Sequence, residues 1–175
     1  MSETMTATAT STASVLAEHT VRLDHVAVAV ADLEAAIRFY ADVLGYEVKE
    51  RRETKGQFTG MVSAVLDAGP WILVLVQGSS EASQVARYVA AYGPGVQHIA
   101  IQVRDLPTVV ERLKESGMEF DTTIIQGTGI RQAFTHRDPA SGMMYELIER
   151  QEPDGHFTDE SVAELFRQLE ERDAF

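Results

Sequence analysis

The 175-residue chain contains no cysteine. That excludes disulfides, thiolate metal sites, a cysteine nucleophile and an iron–sulfur cluster. Any metal must be held by histidine, carboxylate or amide oxygen. Positive charge is also scarce: 15 Lys and Arg stand against 27 Asp and Glu, a net charge of −12. This balance argues against non-specific nucleic-acid binding and against attraction to an anionic membrane. No apolar run approaches the ~20 residues that span a bilayer. Residues 1–20 lack both the basic segment and the continuous apolar segment of a secretory signal. Their Ala/Thr/Ser/Glu-rich composition predicts a flexible tail with a short helical piece near Val15–Glu18. Together these absences predict a cytoplasmic protein. What remains is an ordinary soluble composition, long enough for one domain or two small modules that share a core.

The pattern along the chain repeats. Val21–Val30 reads as a strand, in which Val26, Val28 and Val30 alternate with His25, Ala27 and Ala29. Asp32 caps a helix to about Leu44, with Leu33, Ile37, Tyr40 and Leu44 on one stripe, and Gly45 ends it. Strands are expected at Tyr46–Arg52, Phe58–Asp67 and Trp71–Gln77, the last nearly all apolar and hence covered on both faces. A helix over about Glu81–Ala91 leads to Gly93-Pro94-Gly95, and the pattern restarts. Leu23-Asp24-His25-Val26-Ala27-Val28 aligns with Val96-Gln97-His98-Ile99-Ala100-Ile101, and Asp32-Leu33 with Asp105-Leu106. A second helix to about Ser116 follows, then strands at Met118–Ile125, Ile130–His136 and Met143–Glu149. The expected fold is therefore α+β: two tandem β-α-β-β-β modules, about 21–78 and 96–150, forming a cupped mixed sheet over 21–152. Residues 153–175 are expected to add an amphipathic helix with Val162, Leu165, Phe166 and Leu169 on one side.

Pseudo-two-fold symmetry makes His25 and His98 face each other across the cup. Either one alone reads equally well as a satisfied core histidine. Glu146, among apolar neighbours on the last strand, is a carboxylate whose unpaired burial is costly; a metal cation removes that cost, as would an arginine or a place at the sheet rim. Two histidines and one carboxylate converging from three strands make a facial triad. It leaves coordination positions open and suits non-haem Fe(II). His19, His136 and His156 fall in a tail or near loops and read as solvated, His136 near the cup rim.

These residues resemble the vicinal oxygen chelate superfamily, and most closely the catalytic domain of the 4-hydroxyphenylpyruvate dioxygenase and hydroxymandelate synthase family. The resemblance is carried by Ser83-Gln84-Val85 with Tyr88, by Gly93-Pro94-Gly95-Val96-Gln97-His98-Ile99-Ala100, by Gln132-Ala133-Phe134-Thr135, and by Tyr145-Glu146-Leu147-Ile148-Glu149-Arg150. His156-Phe157 and the Glu164-Leu165-Phe166 helix resemble the family's C-terminal lid. Coverage runs from about Val21 to the end. The family usually carries a further N-terminal domain of the same fold.

The resemblance implies that His25, His98 and Glu146 bind Fe(II), with no catalytic side chain beyond the metal centre. It implies that Ser63, Gln77, Gln84 and Gln132 surround the substrate and that Phe134 and Phe157 pack on its side chain. Gln77 replaces an asparagine of the family, so the substrate need not be 4-hydroxyphenylpyruvate itself. The implied reaction is oxidative decarboxylation of a 2-oxo acid by O2 with hydroxylation of its side chain. A homodimer is suggested by the same analogy. Three alternatives stand beside it. One is a metal-dependent epimerase resembling methylmalonyl-CoA epimerase, which would need a fourth ligand such as Gln77. The second is an extradiol ring-cleaving dioxygenase. The third is a metal-free binding protein on the same scaffold.

Overall fold

The computed structural model describes residues 13–56, 58–153, 155–172 and 174. Eight strands make one sheet in the order β2-β3-β4-β1-β5-β8-β7-β6. They are β1 (Thr20–Ala29), β2 (Glu47–Lys55), β3 (Gly60–Asp67), β4 (Ile72–Gly78), β5 (Gly95–Val103), β6 (Ile125–Gln126), β7 (Ile130–Phe134) and β8 (Tyr145–Arg150). The order reads outward from the central β1–β5 pair as two copies of one module. In each copy the first strand lies parallel to the last, β1 to β4 and β5 to β8, and the two copies join antiparallel through β1 and β5. The result is a curled mixed sheet of the α+β class expected from the repeat.

Helices α2 (Leu33–Ile37, continuing as a π-helical turn over Arg38–Val43) and α4 (Leu106–Glu115) cover the convex face of their own modules. Each starts at an aspartate whose side chain accepts an otherwise orphaned amide: Asp32 from Ala35, Asp105 from Thr108. A second acceptor comes from the end of the parallel partner strand. The Gln77 side chain accepts from the Leu33 amide at 2.6 Å, and Glu149 from the Leu106 amide at 2.7 Å. The two modules thus use the same device to seat the helix on the sheet. Under α4, the side chains of Leu106, Val109, Val110 and Leu113 bury against Val103, Ala133 and Leu147. Each such burial contributes about 1.5–3 kcal/mol.

The polar sequence before β1 is not uniformly a tail. The expectation for residues 1–12 lies outside the described residues. Residues 13–19 form helix α1 (Ala13–His19), which buries Val15 in the cluster under α4. His19 Nδ1 lies 2.8 Å from the Arg104 carbonyl oxygen. Seven residues span too few turns for a periodic stripe to announce a docked helix.

The expected strand at Met118–Ile125 is also shortened. Phe120 makes one bridge to Thr135, and regular pairing resumes only in β6. Asp121 and Thr122 interrupt the ladder: both of their amides donate to the Phe134 carbonyl, while the Thr122 hydroxyl accepts from the Phe134 amide. After α3 (Gln84–Tyr92) and the second module, α5 (Asp159–Glu171) runs across the concave face, opened by a capping box between Thr158 and Ser161. It is held by Glu170, which accepts from the Thr59 amide and hydroxyl, and by Gln168 against Thr123. Asp154, Asp173 and Phe175 of the expected 153–175 segment lie outside the described residues. Among those described, no helix is long and apolar enough to cross a membrane.

Candidate metal centre

Strand alternation puts His25, Ala27 and Ala29 on the concave side of β1, while Val28 and Val30 pack under α2. Ala27 and Ala100 are fully buried, and their short side chains leave the floor of the cup open. From β8, Glu146 rises beside Ala100, its register partner on β5. The carboxylate is almost wholly buried, at 2% exposure. Its Oε2 lies 3.1 Å from His25 Nε2 and 3.4 Å from His98 Nε2. The two imidazoles meet edge to face, 5.6 Å between centroids.

The structure brings the three residues implied by the resemblance to one point, with one ligating atom from each lying within 4.8 Å of the others. Glu146 Oε1 is buried with no hydrogen-bond partner. A carboxylate with one orphaned oxygen and the other facing two imidazole nitrogens is a donor set that fits a divalent first-row cation.

Two residues missed by pattern reading aim the two imidazoles. Asp24 and Gln97 are each the extra residue of a β-bulge in the β1–β5 ladder: Leu23 pairs Ile101 and His25 pairs Ala100, while Ala27 pairs His98 and Val28 pairs Val96. The bulge turns two consecutive side chains to the same side. Asp24 Oδ1 then reaches His25 Nδ1 at 3.1 Å, and the Gln97 side-chain oxygen reaches His98 Nδ1. A bond at Nδ1 leaves Nε2 pointing into the cup. Asp24 is itself gripped by Arg150, at 2.8 and 3.0 Å. A sequence signal existed, because the repeat places a polar residue before each histidine.

The charges follow from this arrangement. Burial pushes the His25 imidazolium down, but Glu146 and Asp24 outweigh it and hold the group well above its ordinary value. At His98 burial dominates and holds the imidazole below its ordinary value. Burial would raise Glu146 and Asp24, yet the histidines, and Arg150 for Asp24, keep both carboxylates ionised below the usual range.

In front of the triad lies a cavity of about 310 Å³. Ser63, Gln84, Gln132, Phe134 and Phe157 all line it, as do Met61, Val65, Val74 and Val76. From α5 it is closed by Val162, Leu165, Phe166 and Leu169. Phe134 stands edge-on to His98 with 5.1 Å between ring centroids. Gln84 is buried and its side-chain oxygen has no partner. His156, read as solvated, also borders the cavity, whereas His136 pairs with Asp121 away from it.

Gln77 is a correction. Its side chain does not line the cavity. On β4 it shares parity with Leu73 and Leu75, which pack under α2, so its amide faces the convex side and caps Leu33. The fourth corner of the cup belongs instead to Val74. Val74 pairs with Ala27 as Glu146 pairs with Ala100, so the two positions are symmetry mates.

Residues 22–147 match the Glyoxalase/Bleomycin resistance protein/Dioxygenase superfamily. The chain belongs to this superfamily. Similarity within it runs in two directions. Over 85 residues the chain is 31% identical to 4-hydroxyphenylpyruvate dioxygenase of Legionella pneumophila, covering 47% of this chain and 24% of that one. The chain thus spans about a quarter of the length of that dioxygenase. Over 129 residues it is 31% identical to mitochondrial methylmalonyl-CoA epimerase of Bos taurus, covering 72% and 73%. Among solved structures, a 4-hydroxymandelate synthase variant from Streptomyces coelicolor superposes with a TM-score of 0.77 at 22% identity, over 88% of this chain and 55% of that one. At that identity it shows the shared fold. Methylmalonyl-CoA epimerase from Mycobacterium tuberculosis superposes at 0.64 with 33% identity, over 74% and 88%.

Proposed function

We propose that the protein is an Fe(II)- and O2-dependent dioxygenase that decarboxylates a 2-oxo acid and hydroxylates its side chain. The observation that carries this reading is Val74 at the fourth corner. With an apolar side chain there, the cup offers three ligands, His25, His98 and Glu146, and leaves one face for a chelating substrate and O2. Fe(II) held by that triad supplies the electrons that allow O2 to react with the 2-oxo acid. The products are CO2 and an acid one carbon shorter, carrying one oxygen atom on its side chain and one in its new carboxylate.

The chain's own residues position and shield. Asp24 and Gln97 fix the imidazoles from behind. Phe134 walls one side of the site beside His98, and Phe157 with the apolar face of α5 keeps water out. Ser63, Gln84 and Gln132 are the polar groups available to orient a bound molecule, and the orphaned oxygen of Gln84 accepts from a donor on it.

Epimerisation next to a thioester is the competing reading, and the epimerase relatives favour it. It needs a base to remove a proton and an acid to return one on the opposite face. Apart from Glu146, the carboxylates lining the cavity are Asp24, gripped by Arg150, and Glu50, 2.8 Å from Arg52. Each is paired with an arginine. The test is anaerobic Fe(II) reconstitution, then addition of aryl and branched 2-oxo acids, then O2. A visible charge-transfer band followed by CO2 release is expected. Tight metal loading with no O2 uptake on any 2-oxo acid, together with epimerisation of an acyl-CoA, would replace the dioxygenase by the epimerase.

A further inference from the structure

The guanidinium of Arg150 makes two sets of contacts that point in different directions. Nε and Nη2 fork onto Asp24, the residue behind His25. Nη1 donates at 2.7 Å to the carbonyl of Gly155, at the turn that leads into Phe157 and α5. That turn is tightly fitted: a Cβ on Gly155 would stand 2.3 Å from the Gly129 carbonyl oxygen. A continuous set of contacts therefore runs from Glu146 through His25, Asp24 and Arg150 to the first residues of the cover. Arg52, which donates to the Phe157 carbonyl at 3.2 Å, meets the same segment from the other side of the cup and touches no ligand.

We propose that Arg150 is a positioning residue that couples seating of the C-terminal cover to the orientation of the metal ligand His25. This rests on the metal-binding reading above. Asp24 and Gln97 occupy equivalent bulges, and among the described residues it is Asp24 that is tied, through Arg150, to the turn that leads into α5. On the His98 side the Gln97 carbonyl accepts from Arg137, which lies over the Tyr88 ring. A cation that orders His25 orders Asp24, which holds the fork, which in turn holds the Gly155 carbonyl. Seating of the cover by a bound molecule acts along the same contacts in reverse, because coupling between two sites is reciprocal.

The test is hydrogen exchange of the full chain over residues 155–171, with and without Co(II), alongside Co(II) affinity from its visible spectrum. In the wild type, Co(II) should slow exchange across 155–158 by roughly threefold or more. In Arg150→Met, affinity should fall by about 10–100-fold. At saturating Co(II), exchange at 155–158 should no longer respond. Arg150→Lys retains the charge without the fork and should behave like Arg150→Met. A residue that only neutralised Asp24 would be rescued by lysine, so full rescue overturns the proposal. So does a wild-type exchange response in Arg150→Met. Should Arg150→Met fail to fold, Asp24→Asn decides: the proposal requires weaker Co(II) binding and no response at 155–158. A wild-type protein that binds no Co(II) removes the metal reading itself. One that binds Co(II) with exchange unchanged at 155–158 removes only the coupling.

Discussion

Metal loading at neutral pH should expel close to one proton, and the structure says from where. His25 sits between two carboxylates that raise its imidazole from 6.5 to about 9. At pH 7.5 such a group is about 97% protonated, whereas an unshifted imidazole is about 10% protonated. A cation at Nε2 must displace that proton. His98 adds almost nothing, since burial holds it neutral, and Glu146 is already ionised. The expected release is therefore about 1 proton per metal at pH 7.5, falling to about 0.5 at pH 9. Calorimetric titration of Co(II) in three buffers of different ionisation enthalpy measures it as the slope of apparent enthalpy. Asp24→Asn should lower the slope, because one of the two carboxylates that raise His25 is gone. A slope below about 0.3 at pH 7.5 would refute the reasoning, since His25 would then carry no extra proton to lose. The same shift fixes a stability trend. A raised folded-state value contributes stability that is complete below 6.5 and is lost as pH rises through about 9. Metal-free protein should therefore melt at falling temperature across that window, and the loaded protein should not.

Four further outcomes follow from the same site and its cover. His98→Ala should abolish stoichiometric Fe(II) binding, and a variant that retains one iron per chain with full turnover contradicts the triad. Glu146 is held at about 2, so its contribution is present above 4.5 and disappears as pH falls towards 2. Glu146→Gln should flatten the denaturant-measured stability slope of metal-free protein in that range, and an unaltered slope argues against the ion pair with His25. Val74→Glu should tighten divalent metal binding while extinguishing 2-oxo-acid turnover; retained turnover would mean that the face beside Val74 is not where the substrate enters. Phe166, 2% exposed under α5, should cost about 3–5 kcal/mol when replaced by alanine. Calorimetry should show Tm lower by roughly 6–20 °C, and an unchanged Tm would mean that α5 is not part of the cooperative unit.

The repeat made much of this readable from sequence. Once Leu23–Leu33 was laid on Val96–Leu106, the two-module sheet and the meeting of His25 with His98 followed from symmetry. Glu146 stood out as a carboxylate among apolar neighbours. The departures from expectation have two origins: local geometry that period-two reading cannot see, and analogy that overrode that reading. Asp24 and Gln97 point to the same side as the histidines they precede because each is the unpaired residue of a bulge. Analogy places Gln77 in the cup, although its parity with Leu73 and Leu75 sends it to the helix side. Val74 carries the most information about the site, yet a valine in an apolar strand resembles any other core residue. The short helix expected near Val15–Glu18 is present as α1, while its docking through Val15 had no periodic stripe to announce it.

The unequal sharing of ligands between the halves has an engineering consequence. The first module contributes His25 alone, and its outer strands β2, β3 and β4 contribute none, yet they form the wall bearing Met61, Ser63, Val65, Val74 and Val76. Of that wall, only Val74 stands at a ligand corner. Met61, Ser63, Val65 and Val76 are therefore the positions to vary: they shape the molecule admitted, while Leu66, Leu73, Leu75 and Gln77 on the same strands hold α2 and stay fixed. Libraries confined to those four positions would sample new substrates while leaving His25, His98, Glu146 and the Val74 corner untouched.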